Sequence, residues 1–237
     1  MKEHLVGLFS RGSKPKVLML SEEVDSFKMT KILEFLEPIS CLPIITGDNV
    51  KFSLQLCEAL LRCNITAVEW TLRTPGALSC VEAIATRLPE MVVGVGTIRT
   101  VGEAQDVQNS GAKFGVSPGA TDDLITTFSN SKFPWLPGAS TASEMMSLWD
   151  KGFRIQKFFP AEASGGIDFL KSVSGPLPDI KFCPTGGITA ENTEAWLALP
   201  QVICVGGSWL GSFQSKNYPT AAALDDYIKL RMPAIRQ

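Results

Sequence analysis

One lysine stands inside an otherwise apolar run that breaks at a proline: Lys157, in the stretch RIQKFFPAEASGG from Arg154 to Gly166. Lysine is among the residues least often fully buried, so an inward-facing one calls for a paired partner or a chemical task. Strand alternation sets Ile155, Lys157 and Phe159 on one face and Gln156 and Phe158 on the other. If Ile155 and Phe159 face a barrel interior, Lys157 does too. Desolvation disfavours an ammonium, and a neutral amine is a nucleophile for ketones and aldehydes, with which it forms a Schiff base. A lysine paired with a buried carboxylate is the purely structural alternative. Gln156 on the helix-facing side has no explanation at this level.

A second charged residue in a strand pattern is Glu69, in AVEWTLRT. Alternation puts Ala67, Glu69 and Thr71 on one face and Val68 and Trp70 on the other, where the apolar pair would meet helices. Arg73 has the parity of Glu69 and follows it inward if the strand stays extended. A buried ion pair is the alternative use of that carboxylate. In VVGVGT the same parity predicts Val93, Val95 and Thr97 inward, with Thr97 at the rim. PTGGIT (184–189) and VGGSWL (205–210) place glycine pairs about one strand–helix unit apart. Such glycines let backbone N–H groups approach an anion, and a helix starting near Thr189 would add its positive dipole end. Turn-making is the ordinary use of either pair alone. SPGAT and LPGAST break after strands, with Thr121, Ser140 and Thr141 as candidate N-caps.

The composition removes whole reaction classes. The only histidine is His4, so Ser-His-Asp and Cys-His catalysis lose their base, and histidine-based zinc sites are excluded. With 22 Lys+Arg against 24 Asp+Glu, the net charge of −2 gives no electrostatic case for binding nucleic acid. The six cysteines lack paired CxxC spacing and read as small hydrophobes in a reducing compartment. The N-terminus lacks the apolar stretch of a secretory signal, and no run approaches the ~18 apolar residues of a membrane span. The expectation is a cytoplasmic protein.

At 237 residues, 45% hydrophobic and 19% charged, the chain suits one substantial core. From about residue 42, short strand-like stretches alternate with amphipathic helical segments. The strand candidates are 42–46, 67–71, 92–97, 113–118, 135–138, 154–159, 181–187 and 202–208. This pattern predicts an α/β fold, a compact (β/α)8 TIM barrel with short loops. An open doubly wound sheet is disfavoured because no G-x-G-x-x-G opens a helix after the first strand. Residues 1–26 are expected to form an N-terminal extension, and 27–237 a single barrel domain, with SEEVDSFKMTKILEFLEPIS a helix packing on the barrel's end.

Taken together, EWTLRT, GVGTI, SPGAT, PGAST, KFFPAEASGG, FCPTGGIT and VGGSWL strongly resemble the 2-keto-3-deoxy-6-phosphogluconate (KDPG) aldolase family, including its 2-keto-4-hydroxyglutarate (KHG) aldolases. The likeness runs in order from about Ile32 to Leu210. It implies that Lys157 forms the Schiff base and that Glu69 transfers protons. Arg73, Thr97, Pro118 and Phe159 would line the substrate site, and Thr185, Gly186, Gly187, Gly207 and Ser208 would hold phosphate. It further implies a small phosphorylated keto-acid substrate, no metal or cofactor, and a homotrimer. PIITGDN departs from relatives that carry an arginine just after the first strand, having Thr46 and Gly47 there instead. Cleavage of KDPG to pyruvate and glyceraldehyde 3-phosphate is the expected reaction. Its phosphogalactonate counterpart, a phosphosugar isomerase or epimerase, and a non-catalytic sugar-acid sensor remain open on the same barrel.

Overall fold

The structure is a computed structural model, and it describes residues 16–209 and 221–231, with side chains from residue 26 onward. The first fifteen residues of the expected N-terminal extension, including His4, lie outside the described residues. Parallel strands alternate with helices: β1 (Cys41–Ile45), β2 (Ala67–Thr71), β3 (Val92–Gly96), β4 (Phe114–Val116), β5 (Trp135–Leu136), β6 (Gly138–Ala139), β7 (Ile155–Phe158), β8 (Lys181–Pro184) and β9 (Val205–Gly207). One sheet has the order β5-β4-β3-β2-β1-β9 and the other β6-β7-β8. β5 and β6 are two halves of one strand interrupted at Pro137, whose ring removes a donor while its carbonyl accepts Lys157 N–H at 2.8 Å. Bridges Phe182↔Val202 and Thr185↔Gly206 join β8 to β9. The eight strands therefore close on themselves as a (β/α)8 barrel.

Two apolar layers hold the barrel. Outside it, Val68, Trp70, Val93, Val95 and Phe158 pack against helix side chains, with Phe158 stacked on Phe169 at 5.4 Å. Inside, Leu42, Ala67, Phe114, Leu136, Ile155 and Cys183 pack with Ile32 and Leu36 of α1 (Lys16–Leu36) and with Ile39. Helix α1 runs without a break past position 26 and closes the N-terminal end of the barrel. Lys28 of α1 is buried and donates to the carbonyl of Phe128 at 3.1 Å. Its charge meets the C-terminal end of α5 (Asp122–Ser129), where a cation opposes the helix dipole favourably.

The inward assignment of Val93 and Val95 is overturned: both belong to the outer layer, and Gly94 and Gly96 face the interior. A Cβ on Gly94 would lie 2.2 Å from the Phe114 ring, and one on Gly96 would lie 2.0 Å from Glu69 Oε1. Neighbouring strands thus fill the space above β3, and only glycine fits beneath them. The Gly94→Ala variant is expected to lose about 1–3 kcal/mol, because the fully buried Phe114 ring has nowhere to swing. Urea denaturation measures it, and an unchanged midpoint would contradict the packing described.

Gln156 also finds its reason. Its amide nitrogen donates to the carbonyls of Met145 and Phe153, both at 3.0 Å, tying β7 to α6 (Ala142–Asp150). The expected caps form at Thr121, which accepts from Leu124 N–H, and at Thr141, where a capping box with Glu144 opens α6. Ser140 serves that box by donating to Glu144. Its backbone N–H, with the Thr141 hydroxyl, holds the Glu144 carboxyl below the usual range. After the barrel, α9 (Ala221–Arg231) returns to α2 (Val50–Arg62), where Arg62 grips Asp225 through two nitrogens at 2.9 and 2.8 Å.

Candidate active site

At the centre of the barrel the two unusual charges meet. Lys157 Nζ lies 3.2 Å from Glu69 Oε1 and 3.5 Å from Oε2, and the side chains are only 6% and 3% exposed. They come from opposite walls, β7 and β2, and their approach is possible because Gly96 leaves the carboxylate room. The Phe159 ring centroid is 5.4 Å from Nζ, close enough for a cation–π attraction that fixes the amine's position. A buried amine, a carboxylate within proton-transfer distance and an aromatic wall form an acid–base couple able to attack a carbonyl.

Around this pair, the expected site residues lie at the C-terminal ends of their strands, the end where barrel chemistry occurs. β2 stops at Thr71 and the chain turns, so Arg73 is exposed at the mouth and does not follow Glu69 into the interior. Its Nε donates to Thr97 Oγ1 at 3.2 Å. Thr97 has φ of 67°, costly for a β-branched residue and characteristic of a position held for a task. Pro118 follows β4 and is exposed. Its carbonyl presses so close to Gly138 that a Cβ there would lie 2.3 Å from it.

The glycine-rich turns follow β8 and β9. Thr185 is buried, with its hydroxyl against Gly206. Gly186 and Gly187 have φ of 102° and 80°, a region that favours glycine. Gly207 ends β9, and Ser208 is exposed beside it. The helix expected near Thr189 starts instead at Thr193 and has five residues (α8, Thr193–Leu197). Thr189 N–H is already taken by Asn192 Oδ1 at 2.8 Å. A short helix set back from the turn contributes little dipole, so an anion here would depend on backbone N–H groups of the turns.

Sequence reasoning left one member of this constellation unassigned. Glu162, in KFFPAE, accepts from Trp196 Nε1 at 3.0 Å and from Asn192 Nδ2 at 3.1 Å. A Cβ on Gly187 would lie 2.6 Å from its side chain. Glu162 thus ties the Thr185–Gly187 turn to α8, which keeps the turn in one shape. The cysteines behave as small hydrophobes: burial pushes the Cys57 thiol up to about 12. Cys204, whose thiol lies 3.4 Å from Cys183 Sγ, is also raised, by that contact and by burial.

A parallel barrel with a lysine–carboxylate couple beneath its C-terminal mouth defines the class. The family profile described as KDPG and KHG aldolase matches residues 32–224. The 2-dehydro-3-deoxy-phosphogluconate aldolase of Pseudoalteromonas atlantica is 44% identical over 71% of this chain and 79% of its own length. Among solved structures, KDPG aldolase from Legionella pneumophila, with pyruvate captured as a covalent carbinolamine intermediate, is 41% identical with a TM-score of 0.75, covering 77% of this chain and 88% of that one. The Zymomonas mobilis enzyme with 3-phosphoglycerate is 32% identical at a TM-score of 0.76, covering 88% and 94%. The chain belongs to the KDPG and KHG aldolase family. Among the described residues, no helix is long and apolar enough to cross a membrane.

Proposed function

We propose that this protein is a class I aldolase that cleaves KDPG to pyruvate and glyceraldehyde 3-phosphate, with Lys157 as Schiff-base nucleophile and Glu69 as proton-transfer group. The observation that carries the assignment is the buried 3.2 Å contact between Lys157 Nζ and Glu69 Oε1, in a family one of whose members holds pyruvate as a carbinolamine. Glu69 takes the ammonium proton, and the free amine adds to the keto carbon. Glu69 returns that proton to the carbinolamine hydroxyl, which leaves as water; an iminium, an electron sink, remains, and Glu69 is again a carboxylate. Glu69 then removes the proton of the 4-hydroxyl, the bond between carbons three and four breaks, and its electron pair enters the iminium to give an enamine. The aldehyde departs. Carbon three regains a proton from Glu69, and water hydrolyses the iminium to release pyruvate and the lysine.

Arg73 and Thr97, bonded to each other at the mouth, suit the carboxylate of the pyruvoyl half, since a guanidinium fork matches that group. Pro118 and Phe159 wall the cleft. The turns at Thr185–Gly187 and Gly207–Ser208 take the phosphate through backbone N–H groups and hydroxyls. No step needs a metal or cofactor, because the iminium itself accepts the electron pair. Residues 27–237 act as one catalytic domain, and by family resemblance it works as a homotrimer. Light scattering tests that assembly.

Borohydride reduction in the presence of pyruvate tests the chemistry. The expected result is one pyruvate-derived adduct per chain, mapped by peptide mass to Lys157. An adduct on another lysine, or none, sinks the Schiff-base assignment.

A further inference from the structure

Above the Lys157–Glu69 pair, two threonine hydroxyls touch. Thr46 Oγ1 and Thr71 Oγ1 are 2.7 Å apart, and Thr71 Oγ1 also donates to the carbonyl of Ile45 at 3.1 Å. A hydroxyl carries one proton, and a carbonyl can only accept. The arrangement that satisfies both contacts at once has Thr71 donating to Ile45 and Thr46 donating to Thr71. The spare capacity of the half-buried Thr46 oxygen is then acceptor only. It suits a group that brings a proton, such as a substrate hydroxyl, and repels oxygens of a phosphate or carboxylate.

The strand order fixes what that group is. β1 lies between β2, which carries Glu69, and β9, which ends at Gly207. Along β1, Leu42 packs in the closed end of the barrel, Ile44 is in register with Glu69, and Thr46 is the next position of that parity, about 6–7 Å nearer the mouth. Gly47 faces the other way, toward the outer-layer Trp70. A substrate with its keto carbon at Lys157, its 4-hydroxyl at Glu69 and its phosphate at the β8 and β9 turns must pass carbon five across Thr46. Building on the aldolase assignment above, we propose that Thr46 is a specificity-determining residue that accepts a hydrogen bond from the 5-hydroxyl of the sugar acid. It thereby favours KDPG over KHG, which carries an acceptor-only carboxylate at that place.

The test is the Thr46→Val variant, which keeps the shape and removes the oxygen, with Thr46→Ser as the conservative control. Cleavage of KDPG and of KHG is measured by pyruvate release, alongside borohydride trapping of pyruvate alone. The ratio of kcat/KM for KDPG to that for KHG is expected to fall about tenfold in Thr46→Val, the loss of one hydrogen bond, and to recover in Thr46→Ser. Trapping of pyruvate, which has no 5-hydroxyl, still labels Lys157. An unchanged ratio, with both substrates falling together or neither falling, overturns the assignment of Thr46. Wild-type protein that neither traps pyruvate nor cleaves either acid fails at an earlier point: it overturns the aldolase assignment and Thr46 with it.

Discussion

Replacing Lys157 by methionine is expected to abolish cleavage, with kcat/KM falling by about 10⁴-fold or more, as when a covalent nucleophile is deleted. Methionine keeps the unbranched stem of the side chain, one atom shorter, but cannot form an iminium, and no other described lysine lies against Glu69. The variant also separates the catalytic role from the structural one that a buried ion pair always offers. Removing the lysine leaves the Glu69 carboxylate uncompensated inside the barrel, a change that costs about 3–5 kcal/mol when one partner of a buried pair is deleted. A double variant, Lys157→Met with Glu69→Gln, removes the stranded charge and should recover much of the stability while recovering none of the activity. Denaturation midpoints and pyruvate release, measured on both variants, decide it. If Lys157→Met retained more than a few per cent of wild-type turnover, the nucleophile would have to be sought elsewhere.

Much of this site was legible because its strands are short and bounded. AVEWT and RIQKFF alternate cleanly, so parity put Glu69 opposite the apolar Val68 and Trp70 and put Lys157 on the face of Ile155 and Phe159, and the structure buries both charges 3.2 Å apart. Alternation does not say which of the two faces is inward when both are apolar or tiny. Parity misplaced Val93 and Val95 because the determining fact is the reach of Phe114 and Glu69 across β3. Arg73 was conditional on an extended chain, and the turn after Thr71 breaks that condition.

Contacts between distant positions left no local trace. Thr46 and Thr71 are twenty-five positions apart, Glu162 and Trp196 thirty-four, and Arg62 and Asp225 one hundred and sixty-three. The start of α8 was misjudged for a related reason. Asn192 caps the turn at Thr189 with its side chain, and a side chain that competes with the helix for a backbone N–H delays the helix.

Glu69→Gln is the complementary experiment, because it changes proton transfer while leaving the nucleophile in place. Glutamine is isosteric and its amide oxygen can still accept from Lys157 Nζ, so the barrel keeps its packing and the lysine keeps a partner. What is lost is a base for the ammonium and the 4-hydroxyl, and an acid for the enamine. A positioned acid–base group is worth about 10²- to 10⁴-fold, and kcat for KDPG cleavage should fall by that much. The loss should appear mainly in kcat, since Arg73, Thr97 and the glycine turns, the groups proposed to hold the ends of the substrate, are untouched. Borohydride with pyruvate should still label Lys157, at a reduced rate. Exchange of the pyruvate methyl protons with deuterated solvent, followed by NMR, isolates the protonation of carbon three and should slow in parallel with cleavage. Cleavage that slows while exchange does not would place the carbon-three proton on another group and confine Glu69 to holding the amine.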